Sequence, residues 1–122
     1  MSIKDFLETL RVSPEVIDFN VLMALIDSNY NFTPCAFKNG DLQNHAGENS
    51  GSCKLFYFAK LHGLSEEETL ACFGDYYRED VLKNPDSDNH QNIRNFIKHG
   101  WQGLKFEADA LVKEPLIKSN DF

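Results

Sequence analysis

The sequence predicts a mainly helical α+β fold, a compact bundle of about five to six helices with one small β element. Three observations support this fold class. Apolar residues recur at helical spacing along much of the 122-residue chain. One predicted helix, about residues 52–62, is apolar almost all round in its middle, as expected for a buried central helix. A segment at about 32–37, with two aromatic residues and a proline, interrupts the helical pattern.

Two amphipathic helices are predicted at the start of the chain. Ser2 can cap the first, whose apolar face contains Ile3, Phe6, Leu7 and Leu10. Ser13-Pro14-Glu15 is typical of a second helix start, with a serine cap followed by proline and an acid. This helix should end near Asn29 and carry the apolar residues Val16, Ile17, Val21, Leu22, Leu25 and Ile26.

The β element is expected from about 32–37 and 103–107, which could pair with each other. Pro34 cannot donate a ladder hydrogen bond, so the first strand should lie at a sheet edge. Asn39-Gly40 predicts a turn. The polar and small residues from 41 to 51 predict a loop, and loops of this length are often functional.

The central helix is predicted from its cap at Ser52 to a stop at Gly63. The segment Leu55-Phe56-Tyr57-Phe58-Ala59 gives it almost no polar face. A helix of this kind is buried on most sides, so the loop before it should lead directly into the core.

Three further helices are predicted. Ser65 and Glu68 form the pattern of a capping box. Asp75 can cap a short helix from 76 to 83, and Asp88 or Asn89 can cap a last helix that ends at His99. The last helix should bury a stripe of Ile93, Phe96 and Ile97. We expect residues 1–110 to form a single globular domain and residues 111–122 a flexible C-terminal tail.

Composition excludes several classes of function. The net charge of -7 disfavours binding to nucleic acid or to an anionic membrane. The longest apolar run, residues 21–26, is far shorter than the ~20 residues needed to span a bilayer. Three cysteines cannot all pair within one chain, which favours reduced thiols and a cytoplasmic location.

The loop and helix start at residues 44–54 form the first candidate site. This segment resembles a phosphate-binding loop only in part, because the Gly-Lys-Ser/Thr ending is absent and Lys54 follows Gly51 by three residues. Free N–H groups at a helix start could still hold a carboxylate or phosphate. The candidate ligand-binding residues here are Asn44, Asn49, Ser52 and Lys54, and the alternative is a helix cap beside a surface lysine.

The second candidate site combines two polar segments, "YYRED" and "HQNIRNF". Tyr77 and Arg94 are candidate ligand-binding residues, and His90 and Asp80 are candidates for a catalytic acid or base. If Arg94 and Lys54 converge on one cleft, an anionic small molecule becomes a plausible ligand. The alternative is a polar network that joins the last two helices.

The spacing of cysteine and histidine predicts neither a metal site nor a cofactor. The chain contains no His-x-x-x-His and no Cys-x-x-Cys pattern. Cys53, in the first turn of the central helix, could be a nucleophile only with a histidine nearby, and His62 lies at the far end of that helix. We therefore expect Cys53 to be a buried structural residue.

Three stretches, "NFTPCAFKNGD", "SGSCKLFYFAKLHGLSEEETLACFGDYYREDVL" and "NHQNIRNFIKHGWQGLKFE", resemble the HopJ type III effector family over about residues 3–110. The resemblance implies a bacterial protein, with relatives that include gammaproteobacterial chains, and it carries no established enzymatic activity or catalytic residue. Cys35 and Asn89 depart from the family pattern, which has threonine and aspartate there.

These observations favour a non-enzymatic domain that binds an unknown protein or an anionic small molecule, with residues 44–54 as the contact region. One alternative is an enzyme that acts on an anionic small molecule. The other is a secreted effector that acts in host cells by protein contact. The start "MSIKDFLETL" predicts an amphipathic helix and not the flexible serine-rich leader that injected effectors usually carry.

Overall fold

The computed structural model describes residues 1–113 and confirms a mainly helical α+β fold. The α-helices are α1 (Ile3–Val12), α2 (Phe19–Asn29), α3 (Ser50–Leu61), α4 (Glu66–Ala71) and α5 (Gln91–His99), with a π-helix at Tyr76–Val81. The strands are β1 (Tyr30–Phe32), β2 (Phe37–Asn39), β3 (Leu42–Asn44), β4 (Leu104–Phe106) and β5 (Leu111–Lys113). Within this part of the chain, no helix is both long and apolar enough to cross a membrane.

The predicted second helix is interrupted. Residues 14–16 form one 3-10 turn, Ile17 is extended and buried, and the chain begins again as α2 behind Asp18. The Asp18 carboxylate accepts hydrogen bonds from two backbone N–H groups of the first turn of α2, at 2.7 and 3.2 Å. The prediction of a single helix from Pro14 was therefore wrong, because the stronger cap lies at Asp18. Val16 and Val21, which were expected on the apolar face of that helix, are exposed.

The strands form two small antiparallel sheets. Strand β2 lies between β3 and β4, and Phe37 stands opposite Phe106, so the predicted pairing of 32–37 with 103–107 is present at its Phe37 end. The expected edge position was wrong for this strand, because β2 is paired on both sides. The predicted strand at 32–37 is split, because residues 33–36 separate β2 from β1, and β1 pairs with β5 in the second sheet.

Two segments predicted to lack structure contain strands. The expected loop at 41–51 contains β3, which returns from β2 through a two-residue turn at Gly40–Asp41. Residues 111–113, expected in a flexible tail, form β5, and Leu111 is buried. The remainder of that predicted tail, residues 114–122, lies outside the described residues.

Helix α3 is the central helix, as predicted, and six of its residues are buried: Cys53, Leu55, Phe56, Tyr57, Phe58 and Ala59. Phe56 joins several elements, since its ring centroid lies 5.0 Å from that of Phe96, 5.4 Å from Phe73 and 6.3 Å from Phe37. The predicted cap at Ser52 was wrong, because α3 begins two residues earlier and is preceded by Asn49.

The second half of the chain differs from the prediction in its helix starts. The capping box at Ser65 is present, but the helix after Asp75 is a π-helix, whose last residue, Val81, is buried. Helix α5 is preceded by His90 and has no side-chain cap, so the predicted cap at Asp88 or Asn89 was wrong, and Asn89 Oδ1 instead accepts a hydrogen bond from Arg94. Ile97 is exposed, so the buried stripe of α5 excludes it.

His62, at the end of α3, connects the central helix to the β1–β5 sheet. Its Nε2 lies 2.9 Å from the hydroxyl of Tyr30, and its ring packs on Phe58 with 4.4 Å between centroids. Burial lowers the pKa of His62 below its ordinary value, and the positive charge of Lys113 lowers it further. Burial also raises the pKa of Tyr30.

This geometry predicts that His62 makes the protein less stable in mild acid. The unfolded chain protonates His62 near pH 6.5 and the folded chain only at lower pH, so the free energy of unfolding should fall as the pH drops below about 6.5. Urea unfolding between about pH 7.5 and pH 5 measures this loss. A His62→Gln variant should lose less stability over the same range; parallel losses in the two proteins would contradict the prediction.

Candidate functional site

The candidate site is a pocket of about 490 Å³ between the start of α3 and the start of α5. The α3 end contributes Asn49, Gly51 and Ser52, and the α5 end contributes His90, Gln91 and Asn92. Apolar residues complete the pocket: Phe19, Leu42, Phe73, Tyr76 and Ile93. Its volume lies within the range of about 300–1,000 Å³ that is usual for small-ligand pockets.

Both helices start in the same unusual way. Asn49 and His90, the residues before α3 and α5, adopt left-handed backbone conformations with φ of 51° and 53°, and they alone do so among the non-glycine residues described. Neither side chain caps its helix. Backbone strain at non-glycine residues is often found at functional sites, and here both instances line one pocket.

The strained starts leave backbone donors available. In residues 1–113, no protein group accepts a hydrogen bond from the backbone N–H of Gly51 or Ser52 in α3, nor from that of Gln91 or Asn92 in α5. All four of these residues line the pocket. Uncapped N–H groups carry the positive end of the helix dipole. The electrostatic potential is therefore positive at both helix starts, although neither has a charged side chain there.

A cluster of asparagine side chains fixes the two helix starts relative to each other. Asn44 Oδ1 accepts hydrogen bonds from Asn49 Nδ2 at 2.7 Å and from Asn92 Nδ2 at 3.0 Å. Asn39 Nδ2 donates to the backbone oxygen and to Oδ1 of Asn92, at 2.8 and 3.0 Å. Three of these residues, Asn39, Asn44 and Asn92, are buried. The β2–β3 hairpin thus connects α3 to α5 through neutral amides.

Replacing Asn44 with alanine should lower the free energy of unfolding by about 1–3 kcal/mol, because two amide donors would lose their shared acceptor. Urea unfolding measures the change. Gln43→Ala, at the exposed neighbouring position, is the matched control and should change stability by less than about 0.5 kcal/mol. Equal effects in the two variants would show that the cluster does not stabilise the fold.

His90 also connects the pocket to the π-helix. Its Nε2 lies 3.0 Å from Oδ2 of Asp80, and its ring lies against Tyr76 with 5.3 Å between centroids. Both side chains of the pair are partly exposed. The predicted acid–base candidates therefore form a hydrogen-bonded pair, in which Asp80 orients the imidazole and His90 lines the pocket.

Aromatic side chains line the pocket beside the helix starts. The rings of Phe19 and Phe73 are stacked at 6.1 Å, and Tyr76 contacts Phe19 edge-on at 5.3 Å. Phe19 is the first residue of α2, and Tyr76 is the first residue of the π-helix. We name these three residues, Phe19, Phe73 and Tyr76, the aromatic wall.

Lys54 does not line the pocket. Its Nζ donates to Asp27 Oδ1 at 2.8 Å and lies 5.0 Å above the ring centroid of Phe32. Lys54 lies two positions after Ser52, the last pocket-lining residue of α3, and its side chain reaches toward α2 and β1.

Arg94 and Tyr77 also lie outside the lining of the pocket. Arg94 donates to the backbone oxygen of Asn89 at 2.6 Å, to Asn89 Oδ1 at 2.8 Å and to the backbone oxygen of Pro85 at 3.2 Å. Arg94 therefore holds the loop before α5, and Tyr77 packs against the core. Of the residues predicted from sequence, Asn49, Ser52 and His90 line the pocket, with Asn44 and Asp80 directly behind them.

Several lining residues were not predicted. Phe19 and Phe73 carried no predicted role. Tyr76 and Gln91 lie within the two polar segments of the second candidate site, and Gly51 within the first, but none of the three was named as a ligand-binding residue. The spacing of apolar residues does not distinguish partly exposed side chains that line a pocket from side chains that pack in the core. The one available signal was the shared pattern of Asn49 and His90, since asparagine and histidine are enriched in left-handed conformations.

None of the three cysteines lines the pocket. Burial raises the pKa of the Cys53 thiol to about 12, with a further contribution from Cys35, and burial raises that of Cys72 to about 12. A thiol of this kind stays protonated at neutral pH. No group of three or more potential metal ligands occurs among residues 1–113.

Comparison with known proteins places the chain in a family. A crystal structure described as that of an unknown function protein, VPA0580, is 54% identical, covers 93% of this chain and 95% of its own, and superposes with a TM-score of 0.92. No curated protein matches the chain. The family described as HopJ type III effector protein matches residues 3–111. The chain therefore belongs to the HopJ type III effector protein family.

Proposed function

We propose that this protein is a non-enzymatic domain that binds a small anionic ligand in the pocket between α3 and α5. The observation that supports the proposal is the convergence of two uncapped helix starts on one pocket. Their unpaired N–H groups are hydrogen-bond donors suited to a carboxylate or phosphate oxygen.

The electrostatics favour an anion at this location in spite of the overall charge of -7. The start of each helix is equivalent to roughly half a positive charge, and among residues 1–113 no aspartate or glutamate lines the pocket. No lysine or arginine from this part of the chain lines it either. The ligand would therefore be held by directed N–H and hydroxyl donors, which select geometry as well as charge.

Placing a carboxylate at Ser52 tests the proposal. Ser52→Asp should abolish the binding of an anion, because the new charge would occupy the positive end of α3, where an acid also stabilises the helix. Lys54→Ala is a matched control on the same helix: each variant lowers the net charge by one, but Lys54 lies outside the pocket.

The measurement is thermal unfolding and calorimetric titration with inorganic phosphate, sulfate, acetate and benzoate at constant ionic strength. A ligand at a hundred times its Kd stabilises the fold by about 2.7 kcal/mol, which raises the melting temperature by several degrees. Binding to wild type and to Lys54→Ala, but not to Ser52→Asp, is the expected result. Equal loss in both variants would mean that the anion responds to net charge alone.

The His90–Asp80 pair supports a second candidate function, an enzyme that acts on an anionic small molecule. In this case His90 would be the general base and Asp80 would orient it. His90→Asn keeps a residue that tolerates the left-handed conformation. Turnover of aryl phosphate or carboxylic esters by wild type, lost in His90→Asn, would support the enzyme over the non-enzymatic domain.

The family description supports a third candidate, a secreted effector that acts by protein contact. A fusion of the first ~50 residues to a reporter, expressed in bacteria with and without a functional type III system, tests this. Export that depends on the system would favour an effector. Retention of the reporter in both strains would favour a function inside the cell that makes the protein.

A further inference from the structure

The pocket has two chemically distinct sides. The helix starts contribute N–H donors to the lining, and the aromatic wall contributes rings, with Phe19 lying against Gly51 of the α3 start. Leu42 and Ile93 extend the apolar lining. A simple inorganic anion would use only the donors and would leave the aromatic and aliphatic lining in contact with water.

The position of Phe19 in the wall depends on a glycine in the helix start. A Cβ atom on Gly51 would lie 2.9 Å from Cζ of Phe19, closer than carbon atoms approach in proteins. The absence of a side chain at Gly51 therefore allows the Phe19 ring to lie against the first turn of α3. Donors and ring faces come within the reach of one small molecule.

Tyr76 provides the most accessible ring of the wall. It remains 41% exposed, although it contacts both Phe19 and His90 at 5.3 Å between centroids. Phe73, which stacks on Phe19, is buried. An exposed tyrosine that lines a pocket can pack against the ring of a ligand, either stacked or edge to face.

We infer that the ligand of the pocket is an aromatic anion: a planar ring that packs on the aromatic wall and carries a carboxylate or phosphate bound by the starts of α3 and α5. This inference rests on the proposed anion-binding function and adds the ring to it. A single ring with an acidic group is small enough for a pocket of about 490 Å³.

Titration with matched pairs of anions tests the inference. Benzoate is compared with cyclohexanecarboxylate, which has similar size and the same charge, and phenyl phosphate is compared with inorganic phosphate. An aromatic contact should make benzoate bind roughly 2- to 12-fold more tightly than cyclohexanecarboxylate. In Tyr76→Leu this preference should fall toward one. Phenyl phosphate should bind more tightly than inorganic phosphate, because its ring also buries apolar area.

Phe32→Leu is the control for loss of a ring, because Phe32 lies under Lys54 and away from the pocket. It should retain the full preference for aromatic anions. Equal binding of the aromatic and non-aromatic members of each pair by wild type would overturn the inference and leave the proposed anion site in place. No binding of any anion would overturn both. A preference that Tyr76→Leu leaves unchanged would also overturn the role assigned to the wall.

Discussion

Phe56→Ala is expected to lower the free energy of unfolding by about 3–5 kcal/mol, the largest effect of any single truncation proposed for this protein. Phe56 is fully buried, and its ring contacts Phe37 of β2, Phe96 of α5 and Phe73 after α4. Because the surrounding rings belong to different elements, they cannot easily close the cavity that alanine would leave. Urea unfolding monitored by circular dichroism gives the change directly.

Val21→Ala is the control for this experiment. It removes apolar atoms from an exposed position on α2 and should change stability by less than about 0.5 kcal/mol. A loss below about 1.5 kcal/mol for Phe56→Ala would mean that the core around α3 rearranges to fill the space. In that case Phe56 would not be the residue that joins the sheet to α5.

Gly74→Ala is expected to cost about 3 kcal/mol for a different reason. Gly74 has φ +62°, where a non-glycine residue is strained by about 1–2 kcal/mol. A Cβ atom there would also lie 3.1 Å from the backbone oxygen of Ile17 and from the backbone nitrogen of Phe19. Backbone atoms at the start of α2 cannot move away as a flexible side chain can, so overpacking adds to the strain.

Gly63→Ala separates the two contributions. Gly63 has the same φ of +62°, but nothing lies within 4 Å of its added Cβ, so only the backbone strain applies. Urea unfolding of both variants should show Gly74→Ala as the more destabilised by about 1 kcal/mol or more. Equal losses would show that the contact with Ile17 and Phe19 is loose. If the added Cβ presses on the backbone of Ile17 and Phe19, Gly74→Ala should also displace Phe19 and weaken ligand binding.

Local rules predicted most helices of this fold. The Ser2 cap, the Ser65 capping box and the end of α3 at Gly63 are short-range patterns, and the structure contains all three. The central position of α3 followed from the apolar character of residues 55–59. These features depend on neighbours within about one helical turn, which a sequence displays directly.

The predicted starts of the two helices at the pocket were wrong for a physical reason. Ser52 and Asn89 are good capping residues by type, but the structure begins α3 two residues before Ser52, and Arg94 binds the Asn89 side chain. Strand β5 was not predicted because its partner, β1, lies about 80 residues earlier in the chain.

Assembly of the site also depends on distant contacts. Asn44 and Asn92 are 48 residues apart in sequence and hydrogen-bonded in the structure. The sequence left open whether Lys54 and Arg94 converge on one anion, and in the structure each is engaged by other protein groups outside the pocket lining. The sequence showed which residue types could bind a ligand, and the fold determined which of them share a pocket.

The asparagine cluster has a consequence for how ligand binding should respond to its surroundings. Its members are amides, which neither gain nor lose a proton over the pH range of a folded protein. Salt screens charges but leaves a buried amide–amide bond almost unchanged. The separation between the starts of α3 and α5 should therefore stay constant across pH and ionic strength. A response of affinity to acid would therefore report the ionisation of the ligand and its neighbours, and a response to salt would report screening of the attraction between the anion and the two helix starts.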